Sequence, residues 1–189
     1  ALPIYIDIYG NHISLLSGAT TSIMYALSNT IGSSGIDNTV NIYNNAIDNC
    51  SQPNASGNSM WLLYNLAGGF NVNIYGNTIR NNSRPGGTVY GINSSGGLNN
   101  YIHDNLISDN TAGGTIHGIY SDDGANTFIY DNKISNLSST SNSATTVATA
   151  GISVISGGIN TYVYNNFISD LKAVSSAYYM GVRGVNISV

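Results

Sequence analysis

Two aspartates, Asp104 and Asp131, stand at the same point of a recurring phrase, directly after YIH and FIY. Carboxylates that a repeat brings together can share a divalent cation, or divide the acid and base roles of polysaccharide cleavage. The position itself asks for less. In the other copies it is held by Gly10, Asn44, Gly76 and Asn165, residue types that tolerate a left-handed backbone, so the column reads first as a bend. A second candidate lies immediately before it. Tyr9, Tyr43, Tyr75, His103, Tyr130 and Tyr164 form an aromatic column that can offer sugar rings a platform or brace the sheet that carries it. Tyr25, Tyr64, Tyr90, Tyr120, Tyr178 and Tyr179 are further rings that can add to such a surface.

Other chemistries find little footing. Asp122 and Asp123 open DDG, a turn sequence before it is a calcium site. His12, His103 and His117 fall in three different columns with no His-x-His or HExxH spacing, so neither a metal site nor a cofactor is expected. The basic residues Arg80, Arg84, Lys133, Lys172 and Arg183 are scattered. Cys50 is the single cysteine, which rules out an internal disulfide and reads as an incidental loop residue.

The elements that position these residues follow from a repeat. IDIYGNHI, VNIYNNAI, VNIYGNTI, NYIHDNLI, TFIYDNKI and TYVYNNFI recur with Asn11, Asn45, Asn77, Asn105, Asn132 and Asn166 in register. The intervals are 34, 32, 28, 27 and 34 residues. Self-similarity at that period marks a stacked architecture. Within each phrase apolar and polar residues alternate, the signature of a half-buried strand. A bend follows, then a second short strand at the Ile column (Ile13, Ile47, Ile79, Ile107, Ile134, Ile168), then a third apolar segment such as YGIN, HGIY, AGIS or MGVR. The expected fold is all-β, one solenoid of about six coils with three short strands each. The coils lie near 1–34, 35–66, 67–95, 96–122, 123–155 and 156–189. In such a stack the six asparagines form a ladder, each amide bonding to the coils on either side.

The NIYxN and GI phrases resemble the repeats of right-handed parallel β-helix proteins, the pectate-lyase-like group, over essentially the whole chain. That resemblance implies the fold. Its lyases use a basic residue beside calcium-binding aspartates, a signature these scattered basic residues do not reproduce. The same phrases, alternating with double-Gly turns, also resemble repeats in very large secreted proteins of Bacteroidetes-type bacteria that carry a type IX sorting domain. What this implies is an extracellular or cell-surface stalk, adhesin or filament segment.

Composition agrees with a stiff, externally placed rod. Only 7% of the 189 residues are charged, there is no Glu, and polarity comes from 28 Asn and 22 Gly among many Ser and Thr. A net charge of −4 gives no grip on nucleic acid or an anionic membrane, and no apolar run is long enough to insert into one. The chain opens within a coil at ALPIYIDIYG and stops at GVRGVNISV, so the expected partners are neighbouring repeats or further copies stacked end to end, with glycans along the Tyr column. The leading expectation is a non-catalytic structural or adhesive segment. The alternative is a polysaccharide lyase or glycoside hydrolase using Asp104 and Asp131.

Overall fold

The computed structural model describes residues 2–31, 37–66, 68–122, 124–143, 145–155, 158–179 and 181–188. Asp123 and Met180, read above in a turn and in a third strand, lie outside them.

The first rung of the stack holds β1 (Tyr5–Tyr9), β2 (His12–Ile13) and β3 (Met24–Asn29). The second holds β4 (Thr39–Tyr43), β5 (Ala46–Asp48) and β6 (Ser59–Asn65). The third holds β7 (Asn71–Tyr75), β8 (Thr78–Arg80), β9 (Ser83–Arg84) and β10 (Thr88–Ser94). The fourth is β11 (Asn99–His103), β12 (Leu106–Ala112) and β13 (Ile116–Ser121), and the fifth β14 (Asn126–Tyr130), β15 (Lys133–Ser139) and β16 (Thr149–Val154). The sixth is β17 (Asn160–Tyr164), β18 (Phe167–Ser169), β19 (Lys172–Ala173) and β20 (Val182–Ile187). No helix occurs among the described residues.

Strands from successive rungs pair in parallel, building three sheets around one core. The first runs β1-β4-β7-β11-β14-β17, the second β2-β5-β8-β12-β15-β18 with β9 and β19 extending it, and the third β3-β6-β10-β13-β16-β20. The chain is thus a parallel β-solenoid of about five turns, with three strands per coil. Register is strict: Ile8, Ile42, Ile74, Ile102, Ile129 and Val163 stack as partners along the first sheet. Ile42, Ile74, Ile102 and Ile129 are fully buried, and Ile47, Ile79, Ile107 and Ile134 meet them from the second sheet. Each such aliphatic contributes roughly 1.5–3 kcal/mol by leaving water.

A left-handed residue closes each first strand: Gly10 (φ 68°), Asn44 (53°), Gly76 (64°), Asp104 (53°), Asp131 (53°) and Asn165 (55°). That bend turns the next asparagine inward. Nδ2 of Asn11 donates to Oδ1 of Asn45 at 2.9 Å, and the pattern repeats from Asn45 to Asn77, Asn77 to Asn105, Asn105 to Asn132 and Asn132 to Asn166 at 2.9–3.0 Å. From Asn45 onward each Oδ1 also accepts the backbone N–H of the preceding ladder asparagine, as Asn105 does from Asn77 at 3.0 Å. Its Nδ2 reaches back to an Ile carbonyl one coil earlier, Ile74 in the case of Asn105.

A second bend repeats the device. Asn49, Asn81, Asp109, Asn136 and Asp170 have φ between 50° and 57°, each two residues after the Ile column. Behind them, Nδ2 of Asn82 donates to Oδ1 of Asn110 at 2.8 Å, and Oδ1 of Asn82 accepts the Cys50 N–H. Cys50 therefore occupies a buried ladder position and not an incidental loop, and burial pushes its thiol pKa up. Leu137 fills the same position with an apolar side chain. Next to this corner the Arg84 side chain is fully buried, its guanidinium bonded to the carbonyls of Ser22, Gly57 and Gly86.

Replacing Asn105 by Ala leaves the Asn77 N–H and the Ile74 carbonyl unpaired in the interior. Asn105→Ala is expected to lower the unfolding free energy by about 2–3 kcal/mol in urea titration. Asn41→Ala, which removes an amide from the outer face, is expected to cost under about 1 kcal/mol.

Candidate functional site

The aromatic column of the first sheet lies on its outer face. Tyr9, Tyr43, Tyr75, His103, Tyr130 and Tyr164 stack with centroids 4.7–5.1 Å apart and planes within 8° of parallel. The register brings all six together, since strand spacing matches ring spacing. The same stacking covers the ring faces. Only the terminal rings are open, Tyr9 at 59% and Tyr164 at 46% exposure, while those between them, three tyrosines and His103, are half-buried and present their edges. A sugar needs a ring face, so this column does mainly cross-coil bracing. Burial and neighbouring charge, Asp7 for Tyr43 and Tyr164 for Tyr130, raise the phenol pKa values of both.

Asp104 and Asp131 are neighbours in register and both occupy left-handed bends. Asp104 is held by His103, whose Nδ1 lies 2.8 Å from its Oδ2. A second pairing joins the exposed His12, through Nε2, to Oδ1 of the largely buried Asp48 at 2.8 Å, with Arg80 3.9 Å from the other oxygen. The His12 hydrogen bond lowers the Asp48 pKa. Its stabilisation is present at neutral pH and disappears as pH falls below the ordinary carboxylate range. Among the described residues no three His, Cys, Asp or Glu side chains gather as a metal site would require.

The third sheet carries a feature that the repeat phrase does not mark. Tyr25, Trp61, Tyr90 and His117 stack along its outer face, with centroids 4.9, 5.6 and 5.3 Å apart. Beside them runs the column Tyr64, Asn93, Tyr120. Tyr64 leans on Tyr25 and Trp61 at 48° and 56°, and Tyr120 stands edge-on to Tyr90 and His117 at 71° and 67°. Between Tyr64 and Tyr120 opens a cavity of about 360 Å³, lined also by Trp61, Tyr90 and Leu66 and, on its polar side, by Asp122, Asn93 and Ser95. The Ser95 hydroxyl lies within hydrogen-bond reach of Asn93 Oδ1 and Asp122 Oδ1, and its single proton is shared between the two. Trp61 Nε1 is buried without a hydrogen-bond partner. Burial, with the charges of Tyr120 and Asp122, pushes the Tyr90 phenol up to about 12. Tyr64, Tyr90 and Tyr120 were visible in sequence as extra rings. Their convergence was not, because it depends on Asn93 interrupting a column that only the register defines.

His117 packs between Tyr90 and Tyr120 and bonds through Nδ1 to Ser153 Oγ at 3.0 Å. Burial lowers its pKa to about 4. No protein-family model, curated protein or solved structure matches the chain.

Because Asn adopts the same left-handed conformation, Asp104→Asn combined with Asp131→Asn is expected to change the unfolding free energy by less than about 0.5 kcal/mol in urea titration. A folded-state His117 pKa below the unfolded value means the unfolded chain binds the extra proton between pH 4 and 6.5, so stability drops as pH falls through that window. From pH 6.5 to 5 the loss is expected to be roughly 2 kcal/mol. His117→Phe, which keeps a ring in the column, is expected to flatten that slope.

Proposed function

We propose that the chain is a non-catalytic structural and adhesive segment of an extracellular or cell-surface rod, one that makes glycan contacts. The observation that carries the reading is where the repeated side chains point. The bend residues turn the chain, the inner asparagines bond from coil to coil, and the repeated tyrosines stack on one another. Each repeated residue thereby serves axial assembly. Asp104 and Asp131 sit in the bend column, which any left-handed-tolerant residue can fill, so their type needs no catalytic explanation.

External placement draws on the likeness of the NIYxN phrases to repeats of large secreted bacterial surface proteins. It draws also on a surface polar through amides and hydroxyls with few charges. Among the described residues strands β1 and β17 each pair on one side only, and apolar residues of their rungs, among them Leu16, Ile31, Ile159, Phe167 and Val174, are exposed. A further coil of the same kind fits there, from a neighbouring repeat or a second copy.

The sedimentation coefficient of the purified chain is expected to rise with concentration, and electron micrographs to show rods longer than one chain. A particle that stays monomeric across the range would remove the end-to-end part of the proposal.

A further inference from the structure

The outer face of the third sheet breaks its own pattern at one point. Tyr64 and Tyr120 share a column, and the rung between them carries Asn93. Skipping one ring leaves walls two strand spacings apart, roughly 9.6 Å. With both rings turned out of the stacked column, the space between them admits a ligand about one sugar unit thick. The volume, about 360 Å³, falls in the range of small-ligand sites.

The geometry points to this gap as a binding site for a neutral pyranose unit of a saccharide chain. A pyranose has two faces of C–H groups and a rim of hydroxyls. Tyr64 and Tyr120 line the gap on either side, each turned by 48–71° from the stacked column, so their oblique ring surfaces are what meets the C–H groups. The rim groups meet a polar edge. Asn93 is buried to 95%, its Oδ1 engaged by Ser95 and its Nδ2 without an acceptor among the described residues. Asp122 is engaged through Oδ1, which leaves Oδ2 to accept ligand hydroxyls.

Two other ligand classes fit less well. An acidic sugar meets the Asp122 carboxylate in a chain already at −4. A quaternary ammonium ion needs ring faces on several sides. Trp61 and Tyr90 at the floor are stacked within their column and turn edges, the positive part of the ring quadrupole, toward the gap. The inference rests on the non-catalytic reading only in that the sugar is held and released intact.

Trp61 is the single tryptophan and lines the gap, so its emission reports on this site alone. The test titrates the purified chain separately with cellohexaose, xylohexaose, mannohexaose and chitohexaose, with hexagalacturonate and tetramethylammonium chloride as counter-probes. At least one neutral hexasaccharide is expected to give a saturable change below about 10 mM. Tyr64→Ala and Tyr120→Ala are each expected to weaken it at least about tenfold, the effect of losing one stacking wall. Asn93→Tyr continues the ring column, keeps the melting temperature and abolishes binding. Phe128→Ala, on the first sheet, leaves binding unchanged. The proposal is overturned by no saturable response to any neutral hexasaccharide, by saturation with either counter-probe in their place, or by binding that survives Asn93→Tyr in a folded chain. Mass analysis of the bound sugar separates the two readings: shortened products would overturn the non-catalytic rod and leave the site standing.

Discussion

Everything in this molecule depends on one distance, the strand spacing of about 4.8 Å between successive coils. An amide side chain both donates and accepts, so a column of asparagines at that spacing bonds to itself without end groups except at the two terminal rungs. The column is also one of few ways to satisfy the backbone at a tight inward corner. There the Asn105 side chain takes the Asn77 N–H, the Ile74 carbonyl and the Asn132 amide oxygen at once. Flat rings obey the same spacing, which explains why tyrosine, histidine and phenylalanine share columns on the outer faces. Chemistry that requires side chains to converge on one point has to arise where a column is interrupted.

Most of the architecture was legible because the repeat fixes both period and face. VNIYNN alone assigns an inward Ile42, an outward Tyr43, a bend at Asn44 and an inward Asn45. The second corner was legible in principle, since an Asn or Asp follows the Ile column by two residues from Asn49 to Asp170. The repeat obscures it because the position behind it varies among Cys50, Asn82, Asn110 and Leu137, and a column with mixed chemistry does not announce itself.

The candidate site was legible least. A single sequence shows that Tyr43 and Tyr75 share a column, but not that their ring faces are consumed by each other. Nor does it show that Tyr64 and Tyr120 face across Asn93, a pairing set by strands about two coils apart. Much of the outer amide chemistry is taken up by cross-coil contacts, as in the run Asn71, Asn99, Asn126 and Asn160.

Arg84 alters how such a stack comes apart. A solenoid held by nearest-neighbour contacts frays from its ends, one rung at a time. The Arg84 guanidinium grips carbonyls on three successive coils, at Ser22, Gly57 and Gly86, with no carboxylate paired to it among the described residues. Loosening any one of those loops exposes part of a buried charge to the loss of its partners. The first three coils are thereby tied into one opening unit, so fraying from that side begins with a cooperative step and proceeds by single rungs only beyond it.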